Sequence, residues 1–156
     1  MANLCIIPAR GGSKRIPRKN VKTFFGKPII AYSIEAAIDS KLFDEIMIST
    51  DDKEIAGIGV QYGAEHPFLR SKTNSSDFAT TIDVIEEVLT EYQRRDKSFD
   101  KVCCLYPCAP LITSESLVKA FNKLEEHIDS VVPIVQYSFP IQRAFKKSKE
   151  VLEYLQ

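Results

Sequence analysis

Residues 6–20 read I-I-P-A-R-G-G-S-K-R-I-P-R-K-N, an apolar segment that runs directly into a basic loop with two glycines. The apolar run Leu4–Pro8 is short and continuous, which is typical of a strand buried on both faces of a parallel sheet. Gly11 and Gly12 permit tight turns beside fixed cations, so the loop is predicted to hold a phosphate chain. Up to Ile34 the chain has no acidic residue and the following basic ones: Arg10, Lys14, Arg15, Arg18, Lys19, Lys22 and Lys27.

The positive charge of the chain is concentrated in this loop. The whole sequence carries 21 Lys and Arg against 21 Asp and Glu, so the part after Ile34 holds 14 basic and 21 acidic side chains. A solvated basic loop, or a nonspecific contact with RNA, is one interpretation of such a cluster. Its place after the first buried strand favours a nucleotide site, because open α/β sheets bind nucleotides there. The acidic balance of the remainder argues against an RNA-binding protein.

The common glycine motifs for nucleotides do not match this loop. Gly11 and Gly12 do not form G-x-G-x-x-G, and no glycine precedes Gly26-Lys27 at the Walker A spacing. The sequence therefore supports neither a Rossmann dehydrogenase nor a P-loop NTPase.

Length and composition indicate one globular domain over residues 1–156, with 44% hydrophobic residues. No apolar run approaches the roughly 20 residues of a membrane helix, and the N-terminus lacks the layout of a signal peptide. A cytoplasmic location is the expectation. The cysteines match no zinc spacing and are interpreted as reduced, structural thiols at Cys5, Cys103, Cys104 and Cys108.

Strand and helix patterns alternate along the chain. Continuous apolar runs predict strands at Leu4–Pro8, Glu45–Ser49, Lys101–Tyr106 and Ser130–Gln136, with a shorter strand-like piece after Gly63. Helical spacing predicts helices at Pro28–Asp39 and Asp77–Arg94. Two further helices are predicted to begin after N-cap residues, one after residues 50–52 and one after Thr113. This alternation predicts a three-layer α/β fold, with a mostly parallel sheet and helices on both faces.

Two of the helices have a predicted buried face. In Asp77–Arg94, with Ser76 or Asp77 as the cap, the face comprises Phe78, Ile82, Ile85, Leu89 and Tyr92. In the helix after Thr113 it comprises Leu117, Phe121, Leu124 and Ile128. Since ligands bind at the carboxyl ends of parallel strands, the loops beginning at Ala9, Thr50, Pro107 and Tyr137 are expected along one rim.

The pattern A-R-x-x-S-K-x-[IL]-x-x-K-N at residues 9–20 resembles the signature of the acylneuraminate cytidylyltransferases, the CMP-sialic acid synthetase-like enzymes. The resemblance continues through Gly26-Lys27-Pro28, Ser49-Thr50-Asp51, Arg70 and Asp77–Thr81, so it covers nearly the whole chain. Residues 103–106 and 139–144 are most similar to the pseudaminic acid branch. Tyr106 departs from the glutamine that is usual in the sialic acid branch, which disfavours ordinary sialic acid.

The resemblance implies a nucleotidyltransferase fold and transfer of CMP from CTP to the anomeric hydroxyl of an acidic nine-carbon sugar, pseudaminic acid being favoured. Pyrophosphate is released, Mg²⁺ is the implied cofactor, and the full-length form is expected to be a homodimer that binds neither nucleic acid nor membrane. The implied catalytic residues are Lys19 and Arg10. The implied nucleotide-binding residues are Ala9, Gly11, Gly12, Ser13, Asn20, Arg70, Ala79 and Thr80, and the candidates for the sugar are Gln142 and Arg143.

Family members continue past residue 156 and carry their metal site there, so the chain is expected to be an N-terminal fragment without metal ligands. Asp51 and Asp52 are interpreted as helix caps rather than metal ligands, and Arg143 has an alternative as a surface ion-pair residue. Three functions stay open. They are a cytidylyltransferase for pseudaminic, sialic or legionaminic acid, a noncatalytic CTP-binding fragment, and a basic RNA-binding protein.

Overall fold

The computed structural model describes residues 2–136, 138, 145–148 and 151–154. The chain forms two compact units, Met1–Asn122 and Lys123–Gln156, and each is described by itself. The expectation of one domain over 1–156 stays a prediction. In chain order the first unit contains β1 (Asn3–Pro8), β2 (Thr23–Phe24), β3 (Lys27–Pro28), α1 (Ile29–Ser40), β4 (Glu45–Ser49), α2 (Lys53–Gln61), α3 (Thr81–Gln93), β5 (Lys101–Cys104) and α4 (Ser114–Phe121), with 3₁₀ turns at Lys19–Val21 and Thr73–Ser75.

The central sheet has three parallel strands in the order β4, β1, β5. Leu4 of β1 lies opposite Glu45 of β4, and Cys5 of β1 lies opposite Cys103 of β5. The chain leaves β1 toward β4 on one side and later returns to place β5 on the other side. The carboxyl ends of β1 and β5 therefore flank a switch point in strand order, where this architecture binds ligands.

Each face of the sheet is covered by an apolar cluster. Cys5, Ile7 and Ile48 face one cluster, in which they pack with Ile34 of α1 and Leu117 of α4. Leu4, Ile6 and Met47 face the other cluster, in which they pack with Val88 and Tyr92 of α3. Successive residues of a strand point to opposite faces, so a continuous apolar run serves both layers. The prediction of a three-layer α/β fold with helices on both faces is confirmed.

Several predicted elements differ from the structure at their ends. The first helix begins at Ile29, with Pro28 as its N-cap residue rather than its first helical residue. The prediction that Asp52 caps a helix is confirmed for α2, because its side chain accepts hydrogen bonds from the backbone N–H groups of Glu54 and Ile55. The same prediction for Asp51 is wrong, because its carboxylate accepts from the Gly11 N–H instead. The piece after Gly63 forms only an isolated bridge between Met47 and Glu65.

Helix α3 corrects the prediction of a helix from Asp77 with Phe78 and Ile82 on its buried face. The helix begins at Thr81 after an N-cap at Thr80. Phe78 lies outside it and is 94% exposed, and Ile82 is 66% exposed. The buried residues are Val84, Val88 and Tyr92, while Ile85 and Leu89 are partly buried against the same cluster.

Helix α4 and the segment after it also correct the sequence-based prediction. The Thr113 cap is confirmed, but the helix ends at Phe121 and only Leu117 is buried, so Leu124 and Ile128 lie outside it. The strand predicted at Ser130–Gln136 is irregular in the structure. Pro133 in that run has no N–H for a ladder, and Ile134 is 91% exposed.

In the second unit an antiparallel hairpin pairs β6 (Phe145–Ser148) with β7 (Val151–Tyr154). The loop predicted to begin at Tyr137 and the sugar-binding candidates Gln142 and Arg143 lie outside the described residues. In the described part of the chain, every helix is too short or too polar to span a membrane.

Candidate functional site

A cavity of about 430 Å³ opens at the carboxyl ends of β1 and β5, the position expected for a ligand in this sheet. Its walls come from the loops after those two strands, from the segment that precedes α3, and from the first turn of α3. The residues that line it are Pro8, Arg10, Lys19, Asn20, Arg70, Asn74, Ser76, Asp77, Ala79, Thr80, Thr81, Val84, Tyr106, Pro107 and Cys108.

Three cationic side chains line this cavity. Arg10 donates a hydrogen bond of 2.9 Å to the Ser76 carbonyl and lies 2.9 Å from an Asp77 carboxylate oxygen. Lys19 is exposed, and among the described residues its ammonium group has no hydrogen-bond or ion-pair partner. An unpaired ammonium on a cavity wall is available to an anionic ligand.

Arg70 is the third cation, and it is 92% buried, with 8% exposed surface. Its Nε donates to the Ser49 hydroxyl at 3.0 Å, and its Nη2 donates to the Ser49 carbonyl at the end of β4. Burial lowers the pKa of its guanidinium from the usual value, although Asp51 and Glu87 oppose that effect. The group is held rigidly, and within the described residues no carboxylate pairs with it.

The N-terminus of α3 forms another wall of the cavity. Thr80 accepts a hydrogen bond from the Asp83 N–H, and the Asp83 carboxylate accepts in return from the Thr80 N–H and hydroxyl. These bonds lower the pKa of Asp83. The positive end of the helix dipole thereby faces the same space as the cations, an arrangement that favours anions. Thr81 shares a 3.0 Å hydrogen bond with the Tyr106 hydroxyl across the cavity.

The basic loop is anchored by acidic residues from distant parts of the chain. Asp51 accepts a hydrogen bond of 2.9 Å from the Gly11 N–H. Asp52 accepts from Arg18 at 2.5 Å, which is the main cause of its lowered pKa. The charge of the loop looks uncompensated in the local sequence, but it is partly balanced in the fold.

Asp77 completes this anchoring from the segment before α3. Its carboxylate pairs with Arg10 and Lys14, and the hydrogen bond from Lys14 is the largest cause of its lowered pKa. The prediction that Asp77 caps the helix is wrong, because Thr80 takes that role.

The structure brings together six of the residues implied by the sequence resemblance, which are Arg10, Lys19, Asn20, Arg70, Ala79 and Thr80. Gly11, Gly12 and Ser13 lie on the loop beside the cavity and do not line it. Ala9 is fully buried in the apolar core, and its N–H donates to the Ser49 carbonyl at 2.9 Å.

Sequence reasoning gave no ligand-binding role to three cavity residues of chemical interest: Asn74, Thr81 and Cys108. For Cys108 the sequence did offer a positional indication, because the loop that follows β5 was expected on the same rim of the sheet. The orientation of these side chains depends on contacts between segments that are far apart in sequence.

No group of three or more His, Cys, Asp or Glu side chains among the described residues lies close enough to hold a metal ion. All four cysteines are free. Burial raises the pKa of Cys104 to about 11, which keeps it a neutral thiol.

Comparison with known proteins identifies relatives of this chain. The family described as cytidylyltransferase matches residues 4–153. The pseudaminic acid cytidylyltransferase of Campylobacter jejuni subsp. jejuni serotype O:2 is 47% identical over 146 residues, which cover 93% of this chain and 63% of that protein. The CMP-N,N'-diacetyllegionaminic acid synthase of Legionella pneumophila is 41% identical over 137 residues, 86% of this chain and 59% of that protein. The chain thus spans about three fifths of the length of these relatives.

Solved structures share the fold at lower identity. A CMP:2-keto-3-deoxy-manno-octonic acid synthetase complexed with CTP matches with a TM-score of 0.67 and 22% identity, over 80% of this chain and 47% of that one. A cytidylyltransferase from Leptospira borgpetersenii matches with a TM-score of 0.60, over 79% of this chain and 48% of that one. The fold is therefore that of the nucleotidyltransferase-like proteins. From the family match over residues 4–153, together with these relatives, the chain belongs to the cytidylyltransferase family.

Proposed function

We propose that this protein transfers CMP from CTP to the anomeric hydroxyl of a nonulosonic acid, with pseudaminic acid as the favoured sugar. The observation that carries the proposal is the cavity at the switch point, where Arg10, Lys19 and Arg70 meet the positive end of α3. A triphosphate is the nucleotide group that such a concentration of fixed positive charge suits. The choice of sugar is supported by the relatives named for pseudaminic acid.

In the proposed reaction the anomeric oxygen attacks the α-phosphorus of CTP. A bond forms between that oxygen and the α-phosphorus, the bond to the bridging oxygen of the β-phosphate breaks, and pyrophosphate leaves. Negative charge grows on the nonbridging and leaving oxygens, and fixed cations stabilise it without reacting. Lys19 and Arg10 are assigned this role. No described residue is assigned as the base that accepts the hydroxyl proton.

The remaining cavity residues are proposed to hold the nucleoside and the phosphates. Ala79 and Thr80 line the space for cytosine and ribose, and Arg70 contacts the nucleotide from the segment between α2 and α3, held there by Ser49 of β4. The loop of Gly11, Gly12 and Ser13 is proposed to approach the phosphates through Gly12, because the Gly11 N–H already donates to Asp51 and the Ser13 N–H to the Gly11 carbonyl. Ala9 contributes through its backbone position. Gln142 and Arg143 stay proposed for the acidic sugar.

Magnesium is the cofactor implied by the family, and its fit to the described residues is poor. Four carboxylates contact the basic loop, and all are already engaged: Asp51 by Gly11, Asp52 by Arg18 and its helix, Glu54 by Arg18, and Asp77 by Arg10 and Lys14. No step of the reaction is therefore assigned to the ion. A reducing compartment such as the cytoplasm is supported by the free thiols. A homodimer is proposed on family resemblance alone.

The first experiment compares binding of CTP and ATP by calorimetry and measures pyrophosphate release with CTP, Mg²⁺ and pseudaminic, legionaminic or sialic acid. The informative variants are Lys19→Ala and the matched Lys22→Ala, which removes an exposed ammonium that does not line the cavity. Loss of one such preorganised charge costs roughly 100- to 1000-fold in rate. That loss is expected for Lys19→Ala only, with folding unchanged by circular dichroism.

The outcomes separate the three functions. Selective CTP binding with pyrophosphate release supports the transferase, and the sugar that supports release identifies the acceptor. Selective CTP binding without release by this chain supports a noncatalytic CTP-binding fragment. Tight, salt-sensitive RNA binding without preference for CTP would overturn both assignments.

A further inference from the structure

Asn20 is a buried amide at the base of the cavity, with 4% of its surface exposed. A buried amide must have hydrogen-bond partners, since leaving its donor or acceptor unpaired is costly. Its Nδ2 donates to the Arg10 carbonyl at 3.0 Å. Its Oδ1 accepts from the thiol of Cys108 at 3.4 Å, and Cys108 lies 88 residues further along the chain.

These two hydrogen bonds join three parts of the cavity. The hydrogen bond from the Asn20 amide to the Arg10 carbonyl closes the loop between these two residues into a ring. The hydrogen bond from the Cys108 thiol to Asn20 connects that ring to the segment after β5, because Cys108 follows that strand. Asn20 also sits in the 3₁₀ turn Lys19–Val21, so its position determines where the Lys19 side chain starts. One amide thus sets the backbone of both proposed catalytic cations.

Only a protonated thiol can donate the hydrogen bond to Asn20. Burial raises the pKa of Cys108 above its usual value, whereas the nearby Lys19 charge lowers it, and burial is the larger effect. Cys108 therefore remains a donor at neutral pH. Cys108 and Asn20 both line the cavity, so their hydrogen bond lies beside the space where a ligand would sit.

We propose that Cys108 is a positioning residue, whose thiol holds Asn20 and thereby aligns Arg10 and Lys19 on the triphosphate. The inference rests on the proposed function, because it needs a triphosphate at those cations. Cys108 contacts no reacting atom in this scheme. Asn20 acts through the backbone of the loop and through Arg10, rather than chiefly as a phosphate ligand.

The test compares Cys108→Ala, which removes the donor, with Cys108→Ser, which replaces the thiol by a hydroxyl donor. Cys103→Ala is the matched control, because it removes a thiol of β5 that packs against the core beside Cys5, whereas the thiol that donates to Asn20 is that of Cys108. Binding of CTP and CMP is measured by calorimetry on the whole 156-residue chain, and thermal unfolding reports folding. Should Cys108→Ala fail to fold, the isosteric pair Cys108→Thr and Cys108→Val repeats the comparison.

The proposal predicts that Cys108→Ala raises Kd for CTP roughly tenfold, because Arg10 and Lys19 are no longer held in position for the phosphates. Cys108→Ser is expected to stay within about threefold of wild type, and Kd for CMP is expected to change less than about twofold, because the cations act on the outer phosphates. An equal loss for CTP and CMP, or no difference between the serine and alanine variants, would overturn it. Wild type without selective CTP binding would instead overturn the proposed function.

Discussion

Arg10 lies 2.9 Å from the carboxylate of Asp77, so a cation at the base of the cavity already has a counterion from the segment before α3. Lys14 pairs with the same carboxylate, and Asp77 itself lines the cavity. Exposed ion pairs of this kind are weak, so a polyanion can displace the carboxylate at small cost. Asp77 is in effect a competitor for the proposed triphosphate.

Asp77→Asn is expected to bind CTP a few-fold more tightly than wild type at low salt. The variant removes the negative charge that now occupies Arg10 and Lys14, and the gain should shrink as added salt screens exposed charges. Calorimetry at two salt concentrations measures the effect. Asp39→Asn makes the same charge change on an exposed part of α1 and should leave affinity unaltered. Equal or weaker CTP binding by Asp77→Asn would refute the competitor role.

Much of the fold could be predicted because β1, β4 and β5 are buried on both faces. Such strands read as short apolar runs, and Glu45–Ser49 matches its prediction residue for residue. Once the strands were placed, the rim that carries Arg10 and Thr50 followed from the parallel order. The loop cations could be predicted as a group, because they are adjacent in the sequence.

The buried face of α3 could not be predicted from spacing alone. The series through Phe78 and Ile82 and the series through Val84 and Val88 both have helical spacing, and Tyr92 fits either. The structure selects the second series because the capping box at Thr80 starts the helix late and leaves Phe78 outside it. The pairing of Asp77 with Arg10 and the bond between Asn20 and Cys108 were also out of reach, since both join segments that are distant in sequence.

Gly11→Ala is expected to destabilise the protein by about 1–3 kcal/mol, the range for an added methyl group without room. A Cβ at Gly11 would lie 2.7 Å from Oδ2 and 2.9 Å from Cβ of Asp52, which is held as the cap of α2. Gly12→Ala is the matched control, because nothing lies within 4 Å of its added Cβ. Urea denaturation of both variants gives the comparison. Equal stability would show that the loop yields freely around Asp52.

Tyr92→Phe is expected to cost about 1–3 kcal/mol, because it leaves an oxygen of a buried carboxylate without its donor. The Tyr92 hydroxyl donates to Glu45, which is 8% exposed and also pairs with Lys97 at 2.8 Å. Tyr62→Phe should change stability by less than about 0.5 kcal/mol, since the Tyr62 hydroxyl has no partner among the described residues. Glu45 begins β4 at the sheet end opposite the cavity, so CTP affinity should not change. A loss of CTP affinity in Tyr92→Phe would contradict this separation.

Asp52→Asn is expected to remove a pH-dependent part of the stability. Hydrogen bonds from Arg18 and from the N–H groups of Glu54 and Ile55 lower the pKa of Asp52 in the folded state. A lowered folded pKa means that the ionised form stabilises the fold above the unfolded pKa of about 4, and that this stability is lost as pH falls through the folded value. The amide keeps a cap acceptor and never ionises, so the variant should be less stable than wild type by up to about 1 kcal/mol at neutral pH. Urea denaturation across the acid range should show the difference closing as pH falls. A gap that persists at low pH would mean that the charge of Asp52 is not its source.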